Sequence, residues 1–273
     1  MPASNSVALL VISIDSYRDL WRPFFELFWK HWPDCPYPVY LGSEVQTYAD
    51  ERVRSLVVGS QRDWSSVCVR MLERIEAPVT LVMLVDYLLY DRVDTAAVED
   101  YAAYLRKHDA ACLRLFPCPG PDEPCADHAK VGLIRPGSAF RFSLQASFWN
   151  TKALCGLFRI GEDPWESEFK CGPRTSELTQ PFFSVQREHR PMRYFCTGVR
   201  KGLWMRDAVR LCHAQGVEVD LRARQRESLR AYVRRLIKFR LEGCRIPACR
   251  AQHPGFCVRH PCVPASLEDP LRR

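Results

Sequence analysis

The chain has 273 residues, 47% of them apolar, which is enough for one sizeable buried core. We expect no signal peptide, because no basic region precedes the apolar run Val7 to Ile14 and Ser13 and Asp15 interrupt it. We also expect no membrane span, because the longest later apolar run, Val79 to Tyr90, is interrupted by Asp86 and falls short of roughly 20 residues. The net charge is +7, and residues 200–240 carry twelve Lys/Arg against four Asp/Glu, so the remainder is close to neutral. That segment indicates a local contact with phosphates or anionic lipid, or else an ordinary solvated helix face.

The thirteen cysteines are odd in number and mostly scattered singly within apolar segments, a pattern typical of reduced thiols in a cytoplasmic protein. The tail is a special case, because its cysteines and histidines suggest zinc. Their spacing, C-x4-C-x7-C-x4-C, is looser than that of zinc knuckles, so free thiols are the default interpretation and bound zinc the alternative. The residues concerned are Cys244, Cys249, His253, Cys257, His260 and Cys262.

The first half of the chain alternates strand and helix patterns. Continuous β-branched and apolar runs predict buried strands, and apolar residues at helical spacing predict the helices between them. The predicted order is a strand at Val7–Ser13, a helix carrying Leu20 to Phe28, strands at Val39–Gly42 and Leu56–Gly59, a helix carrying Val67 to Ile75, a strand at Val79–Val85, and a helix capped by Asp94. This order is typical of a parallel sheet with right-handed crossovers.

The second half indicates antiparallel strands added to that sheet, followed by helices near the C-terminus. The predicted elements are strands at Ala111–Phe116, Lys130–Arg135 and Phe140–Trp149, a helix at Thr151–Ile160, a turn at Asp163–Pro164, a strand at Met192–Thr197, and helices at Met205–Ala214 and Glu227–Glu242. The expected organisation is a single α/β domain over residues 1–242 and an irregular Cys/Pro/Arg-rich tail over residues 243–273.

Ligands of an open parallel sheet bind beyond the carboxyl ends of its strands, so polar residues that follow strands are the first candidates. Asp15 follows the first strand, and Asp86 and Tyr87 end the most hydrophobic one. An acid there is costly unless it is paired or exposed at a site, which makes Asp86 the leading candidate; a structurally satisfied carboxylate is the alternative. Asp63 and Trp64 follow the third strand, where Asp63 has the alternative role of a helix N-cap.

The segment Pro164 to Glu168 places two carboxylates beside Trp165. Sugar transfer to a hydroxyl needs a base to accept the proton, and an aromatic ring suits the apolar face of a sugar, so Glu166 or Glu168 is a candidate base. An acidic first helical turn after proline explains the same residues without any function. Motifs of dehydrogenases, P-loop kinases, serine hydrolases and zincins do not occur.

Several stretches resemble bacterial glycosyltransferase-like proteins of surface polysaccharide synthesis, which have the GT-A type of nucleotide-sugar fold. They occur in order over about the first 170 residues, and only the proline-rich second one is fairly specific. The stretches are Ser16–Trp21, Trp32–Gly42, Asp63–Ser65, Asp86–Tyr87, Phe142–Trp149 and Pro164–Glu168.

The resemblance implies that the loop after the first strand and Asp63 contact the nucleotide, that Asp86 stands where the metal- or diphosphate-binding acid lies, and that Trp165 and Glu166 face the acceptor. Family members often have two adjacent acids there, whereas here Val85 precedes Asp86, which puts a divalent cation (Mg or Mn) at Asp86 in doubt. Arginines can neutralise a diphosphate instead. The candidate nucleotide-sugar-binding residues are Asp15, Tyr17, Asp63, Trp64, Asp86, Tyr87, Arg141, Gln145 and Trp165, with Glu166 and Glu168 as catalytic candidates.

The sequence therefore predicts a cytoplasmic GT-A-like glycosyltransferase that uses a nucleotide-diphosphate sugar and a hydroxyl of a glycan or lipid-linked acceptor. A catalytically inactive relative that binds a nucleotide or a glycan is the main alternative. The basic helix with Leu229, Val233, Leu236 and Ile237 along one side could lie on anionic lipid or pack on the core. A nucleic-acid-binding module is a further rival, disfavoured because Tyr232 and Phe239 are the only aromatic residues of this basic helix.

Overall fold

The computed structural model describes residues 6–242, and the side chains of residues 6–237. Extended segments account for thirteen strands in this part of the chain. They are β1 (Val7–Ile12), β2 (Val39–Ser43), β3 (Val53–Val57), β4 (Val79–Leu84), β5 (Leu88–Leu89), β6 (Cys112–Arg114), β7 (Glu123–Cys125), β8 (His128–Ile134), β9 (Ser147–Asn150), β10 (Phe182–Val185), β11 (Tyr194–Phe195), β12 (Val199–Arg200) and β13 (Leu203–Trp204).

Seven α-helices connect or follow these strands, and several begin at a side chain that accepts a backbone N–H of the first turn. They are α1 (Trp21–His31), α2 (Trp64–Glu73), α3 (Thr95–Lys107), α4 (Thr151–Leu157), α5 (Pro164–Arg174), α6 (Arg206–Ala214) and α7 (Leu229–Glu242). Short 3-10 helices cover Asp15–Leu20, Thr175–Glu177 and Arg187–His189. None of the helices in the described part is both long and apolar enough to cross a membrane.

Nine strands form one mixed sheet in the order β3-β2-β1-β4-β9-β6-β10-β8-β7. The first four are parallel, with Leu9 of β1 opposite both Val39 of β2 and Leu81 of β4. Strand β9 then runs antiparallel to β4, which begins the added part of the sheet. The predicted α/β class is confirmed: a Rossmann-type parallel half flanked by helices, with added antiparallel strands and C-terminal helices.

Helices cover both faces of this sheet, because alternate side chains of its strands are buried on opposite sides. One face packs against α2, α4 and α5 through a cluster that includes Met71, Leu154 and Cys171. On the other face, Phe183 of β10 meets Tyr104 of α3, with 5.2 Å between the ring centroids. The core therefore consists of two layers, one on each side of the sheet.

Some predicted elements are wrong in extent. The third strand covers Val53–Val57 instead of Leu56–Gly59, and only the end of the predicted strand Phe140–Trp149 is extended, as β9. The 140–146 segment instead follows irregular turns held by side-chain hydrogen bonds, which strand patterns do not anticipate. Asp163–Pro164 is the start of a full helix, α5, and the buried strand β10 was not predicted. The strand is a short segment after a proline, where local pattern is weak, whereas the helix is the alternative that the acidic residues after Pro164 had offered.

The chain divides into two compact units. Unit 1 comprises residues 1–16, 34–84 and 94–191, and unit 2 comprises residues 17–33, 85–93 and 192–273. All nine strands of the sheet belong to unit 1, whereas α1, α6 and α7 belong to unit 2. The predicted domain over residues 1–242 stays a prediction, and the predicted tail with its zinc alternative lies outside the described residues.

Candidate functional site

Asp86, the leading candidate from sequence, lies in unit 2 and comes two residues after the end of β4. Its side chain is partly buried, and its Oδ2 accepts the backbone N–H of Val199 at 3.4 Å. Burial raises the pKa of Asp86 to about 6, because the hydrogen bond from Val199 and the charge of Arg224 offset only part of the lost hydration. The carboxyl group therefore changes charge close to neutral pH.

The backbone around Asp86 is held by a close approach of two chain segments within unit 2. Gly198 donates its N–H to the carbonyl oxygen of Asp86 at 3.0 Å, and a Cβ added to Gly198 would lie 3.0 Å from that same oxygen. Next to Asp86, Tyr87 is buried and stacks on Tyr194, with 4.9 Å between ring centroids. Tyr87 is thus packed within unit 2, and its predicted nucleotide contact stays a prediction.

Tyr17, Asp19 and Arg224 form the charged surroundings of Asp86 in unit 2. Arg224 donates two hydrogen bonds to Asp19, from Nε to Oδ2 at 2.8 Å and from Nη2 to Oδ1 at 2.9 Å. The guanidinium carbon of Arg224 lies 4.6 Å from the centroid of the Tyr17 ring. Burial, followed by the charge of Asp86, raises the pKa of Tyr17. The structure therefore brings together a phenol, two carboxylates and one guanidinium.

Sequence reasoning missed Asp19 and Arg224 as site residues. They stand 205 positions apart in the chain, and Arg224 is one of twelve basic residues in its segment. Nothing local distinguishes this arginine from the others. Its role becomes visible only in the folded unit 2, where it pairs with Asp19.

Asp15, predicted to contact the nucleotide, lies in unit 1 and holds the loop after β2. Its carboxylate accepts the backbone N–H groups of Glu44 at 3.0 Å, Val45 at 3.0 Å and Gln46 at 3.2 Å. These bonds satisfy donors that would otherwise need water. The structure shows a loop-organising role, and the nucleotide contact stays a prediction.

Asp63 is the N-cap of α2, the alternative that its sequence context offered. Burial opposes its ionisation, but hydrogen bonds from Ser65, Ser66 and Gly161 outweigh it and lower the pKa of Asp63 to about 2. Its neighbour Trp64 packs edge-on against Phe158, with 5.6 Å between ring centroids. Their predicted nucleotide contacts remain untested.

Arg141 and Gln145 are both buried within unit 1. Arg141 donates Nη1 to the carbonyl oxygen of Thr175 at 2.7 Å and lies 4.0 Å over the Phe182 ring. Burial lowers the pKa of Arg141. The backbone of Gln145 hydrogen-bonds to the hydroxyls of Ser143 and Ser147. Both residues organise the irregular segment before β9.

Glu166 and Glu168, the predicted bases, take part in hydrogen bonds within unit 1. Glu166 completes a capping box with Asp163 at the start of α5 and pairs with Lys170 at 3.0 Å. The Asp163 backbone N–H and then Lys170 lower the pKa of Glu166. Glu168 accepts the N–H of Leu144 at 3.0 Å. Trp165 beside them is half exposed.

The predicted residues thus fall into separate networks. Tyr17, Asp86 and Tyr87 belong to unit 2, and the remaining ones to unit 1. Within unit 1, Asp63 lies near the turn that begins α5, because Ser65 bonds to Asp63 at 2.6 Å and receives the Glu162 N–H at 3.1 Å. Over residues 6–242, no cluster of three or more His, Cys, Asp or Glu side chains has a metal-holding arrangement.

No protein-family model and no curated protein sequence matches this chain. Solved structures similar to it include TarS of S. aureus, at 12% identity over 69% of this chain with a TM-score of 0.46. A second is UTP-bound UGPase from Acinetobacter baumannii, at 10% identity over 86% of this chain and 98% of that chain, with a TM-score of 0.48. A third is TarS in complex with UDP-GlcNAc, at 11% identity over 66% of this chain with a TM-score of 0.42.

The matched region spans 59% of either TarS chain. The identities of all three lie below 25% and their TM-scores below 0.5, so these similarities support no conclusion about this chain's ligands or activity.

Proposed function

We propose that this protein transfers a sugar from a nucleotide-diphosphate sugar to a hydroxyl group of a glycan or lipid-linked acceptor. The observation that carries the proposal is Asp86, a partly buried carboxyl group that follows a hydrophobic strand and whose pKa is raised to about 6. A base is most effective when its pKa lies near the working pH. Asp86 meets that condition because burial raises its pKa, and no neighbouring acid is needed to explain the shift.

In the proposed reaction the acceptor oxygen attacks the anomeric carbon of the sugar. The bond from that carbon to the diphosphate oxygen breaks, and the nucleoside diphosphate leaves with the bonding electron pair. The proton of the acceptor hydroxyl passes to a carboxylate of the protein. We assign that proton to Asp86, since its raised pKa makes it a stronger base than Glu166, whose pKa is lowered.

The residues around Asp86 suit hydroxyl groups better than a divalent cation. The second nearby carboxylate, Asp19, accepts hydrogen bonds from Nε and Nη2 of Arg224. A magnesium or manganese ion prefers several oxygen ligands, which one remaining carboxylate does not provide. The donor set therefore does not fit the metal, and no step of the proposed reaction depends on it.

The test is release of nucleoside diphosphate by the full chain from a panel of nucleotide-diphosphate sugars, with and without candidate acceptor glycans. Asp86→Asn should abolish most of the release but leave donor binding measurable by thermal shift. Asp91→Asn is the matched control, because Asp91 is an exposed acid of the same segment, 3.5 Å from Arg193. Equal activity of Asp86→Asn and the parent chain would contradict the assignment.

A nucleotide- or glycan-binding protein without turnover is the second candidate. The observation that favours it is the hydrogen bonding of both predicted bases, Glu166 to Asp163 and Glu168 to Leu144. It predicts a thermal shift with nucleotide diphosphates and no release from any donor. The same panel therefore separates the two functions.

We further propose that α7 lies on the cytoplasmic surface of a membrane. Leu229, Val233 and Ile237 are exposed and recur every four residues, so they share one side of the helix. Core packing by the described residues does not account for them. Arg230 and Arg234 follow the same stripe at the same spacing and can attract anionic headgroups.

Flotation with phosphatidylglycerol vesicles tests this contact. Val233→Asp and Arg234→Glu should each weaken binding, the first by removing apolar contact and the second by charge reversal. Arg235→Glu is unsuitable, because Arg235 holds Asp207 and Glu227. Flotation insensitive to both variants and to salt would refute the membrane contact.

A further inference from the structure

Unit 2 contains an open cleft of about 330 Å³ on one side of α6. Its lining is rich in cationic side chains and consists of Arg206, Val209, Arg210, His213 and Arg226. The four residues from α6 are spaced i, i+3, i+4 and i+7, which places them on a single face of the helix. Neither the predicted site residues nor the proposed reaction includes any of these five.

The position of Arg226 opposite α6 is set by the strand that precedes the helix. Trp204 of β13 donates its N–H to Gln225 at 2.9 Å, and its carbonyl oxygen accepts the Glu227 N–H at 2.8 Å. Arg226 lies between these two bonded residues. The backbone therefore anchors both walls of the cleft, one in the helix and one in the segment paired with Trp204.

The acids near the cleft already have arginine partners. Asp207 and Glu227 are buried, and Arg235 pairs with them at 3.2 Å and 2.8 Å. Arg210 adds a contact to Asp207 at 3.3 Å, while Arg206 donates Nε to the Glu227 carbonyl at 2.9 Å. Among the described residues, neither Arg226 nor His213 makes an ion pair, so the lining has an excess of positive charge.

We infer that this cleft binds a phosphate or diphosphate group. A guanidinium presents paired N–H donors that match phosphate oxygens, and guanidiniums from two walls can contact one phosphate from both sides. Val209, the remaining lining residue, is buried and has no charge that would compete with the arginines for the anion. The inference goes beyond the proposed sugar transfer, because it depends on the charge of α6 and not on Asp86.

The backbone connects this cleft to Asp86. Met205, next to Arg206, donates its N–H to Gly198 at 2.9 Å, and Gly198 donates in turn to Asp86 at 3.0 Å. The phosphate group can belong to a soluble donor or acceptor, or to a lipid headgroup. The two parts of the experiment below distinguish these sources.

The first arm measures binding of inorganic pyrophosphate to the full chain by calorimetry at low salt. Arg226→Gln should weaken binding about tenfold, the loss of one charge-assisted hydrogen bond. Arg222→Gln removes the same charge from an exposed position outside the cleft. It should change binding less than about twofold, because only a long-range attraction weakened by salt screening is lost. No pyrophosphate binding, or equal weakening by both variants, would overturn the inference.

The second arm measures flotation with phosphatidic acid vesicles in the presence and absence of pyrophosphate. Displacement by pyrophosphate, lost in Arg226→Gln, would identify a lipid phosphate as the ligand. Pyrophosphate binding without vesicle displacement would identify a soluble phosphate. The sugar-transfer proposal is tested independently, by release of nucleoside diphosphate from sugar donors in the parent chain and Asp86→Asn. Failure of that assay leaves the pyrophosphate result unaffected, so the two proposals remain distinguishable.

Discussion

Asp63 in unit 1 and Asp86 in unit 2 both come shortly after a strand of the sheet, yet the pKa values of their carboxyl groups are about 2 and about 6. Asp63 receives hydrogen bonds from two hydroxyls and two backbone N–H groups, which outweigh its burial. Asp86 accepts backbone N–H groups, among them Val199 at 3.4 Å, but no hydroxyl is among the causes that lower its pKa, and burial prevails. The balance between burial and hydrogen bonding therefore separates the two carboxyl groups.

The arginines differ between the units in the same way. In unit 1, Arg141 is buried and donates to a backbone carbonyl, so its charge serves packing. In unit 2, Arg210 and Arg226 are exposed along a cleft. A ligand in solution can therefore reach these two arginines of unit 2 but not Arg141.

The largest expected effect is on activity. Asp86→Asn should lower turnover by about 100-fold or more, the usual contribution of a general base. Asp94→Asn should leave turnover within about threefold, since Asp94 is the N-cap of α3 and takes no part in the proposed chemistry. Steady-state kinetics of the two variants measure the contrast, and comparable losses in both would remove the proposed distinction.

The next largest effect is on the stability of unit 1. Glu162 is buried and pairs with Arg174, a hydrogen bond that comes first among the causes lowering the pKa of Glu162. Glu162→Gln should lower the free energy of unfolding by about 3 kcal/mol, because an uncompensated guanidinium remains. Glu177→Gln is the control, since that exposed acid lies 4.0 Å from Arg159 and should cost less than about 0.5 kcal/mol. Urea titrations giving equal midpoints would refute the ranking.

A smaller effect is expected at the start of α2. Asp63→Ala should cost about 1 to 2 kcal/mol through loss of the N-cap. Since the folded-state pKa is lowered to about 2, this stabilisation is present at neutral pH and disappears as the pH falls from about 4 through 2. The variant and the parent should therefore converge in acid. A constant difference across that range would show that the carboxylate charge is irrelevant to the cap.

The last effect is of similar size and opposite sign, an increase in stability. The folded-state pKa of Asp86 is raised, so its stabilising contribution is complete below about pH 4 and is lost as the pH rises through about 6. Asp86→Asn keeps the shape of the side chain without the charge and should gain about 1 to 2 kcal/mol at pH 7. Thermal unfolding at pH 4 and pH 7 measures the gain, and a loss of stability at pH 7 would contradict the raised pKa.

The α/β class, the order of the first strands and helices, and the caps Asp63 and Asp94 were predictable from sequence, because hydrophobic period and capping chemistry act over a few residues. The strand Phe182–Val185 was not, because three apolar residues and a serine after a proline have no diagnostic period. Glu166 was ambiguous for a related reason, since one local pattern fits both a base and a capping box.

Only the tertiary structure decided which charged residues act together. Arg224 reaches Asp19 across most of the chain, and Arg226 faces α6 because Trp204 holds its neighbours. The raised pKa of Asp86 likewise depends on burial, which the surrounding backbone N–H groups and Arg224 offset only in part. Sequence spacing contains no information about such long-range proximity, whereas helix and strand patterns are written in neighbouring residues.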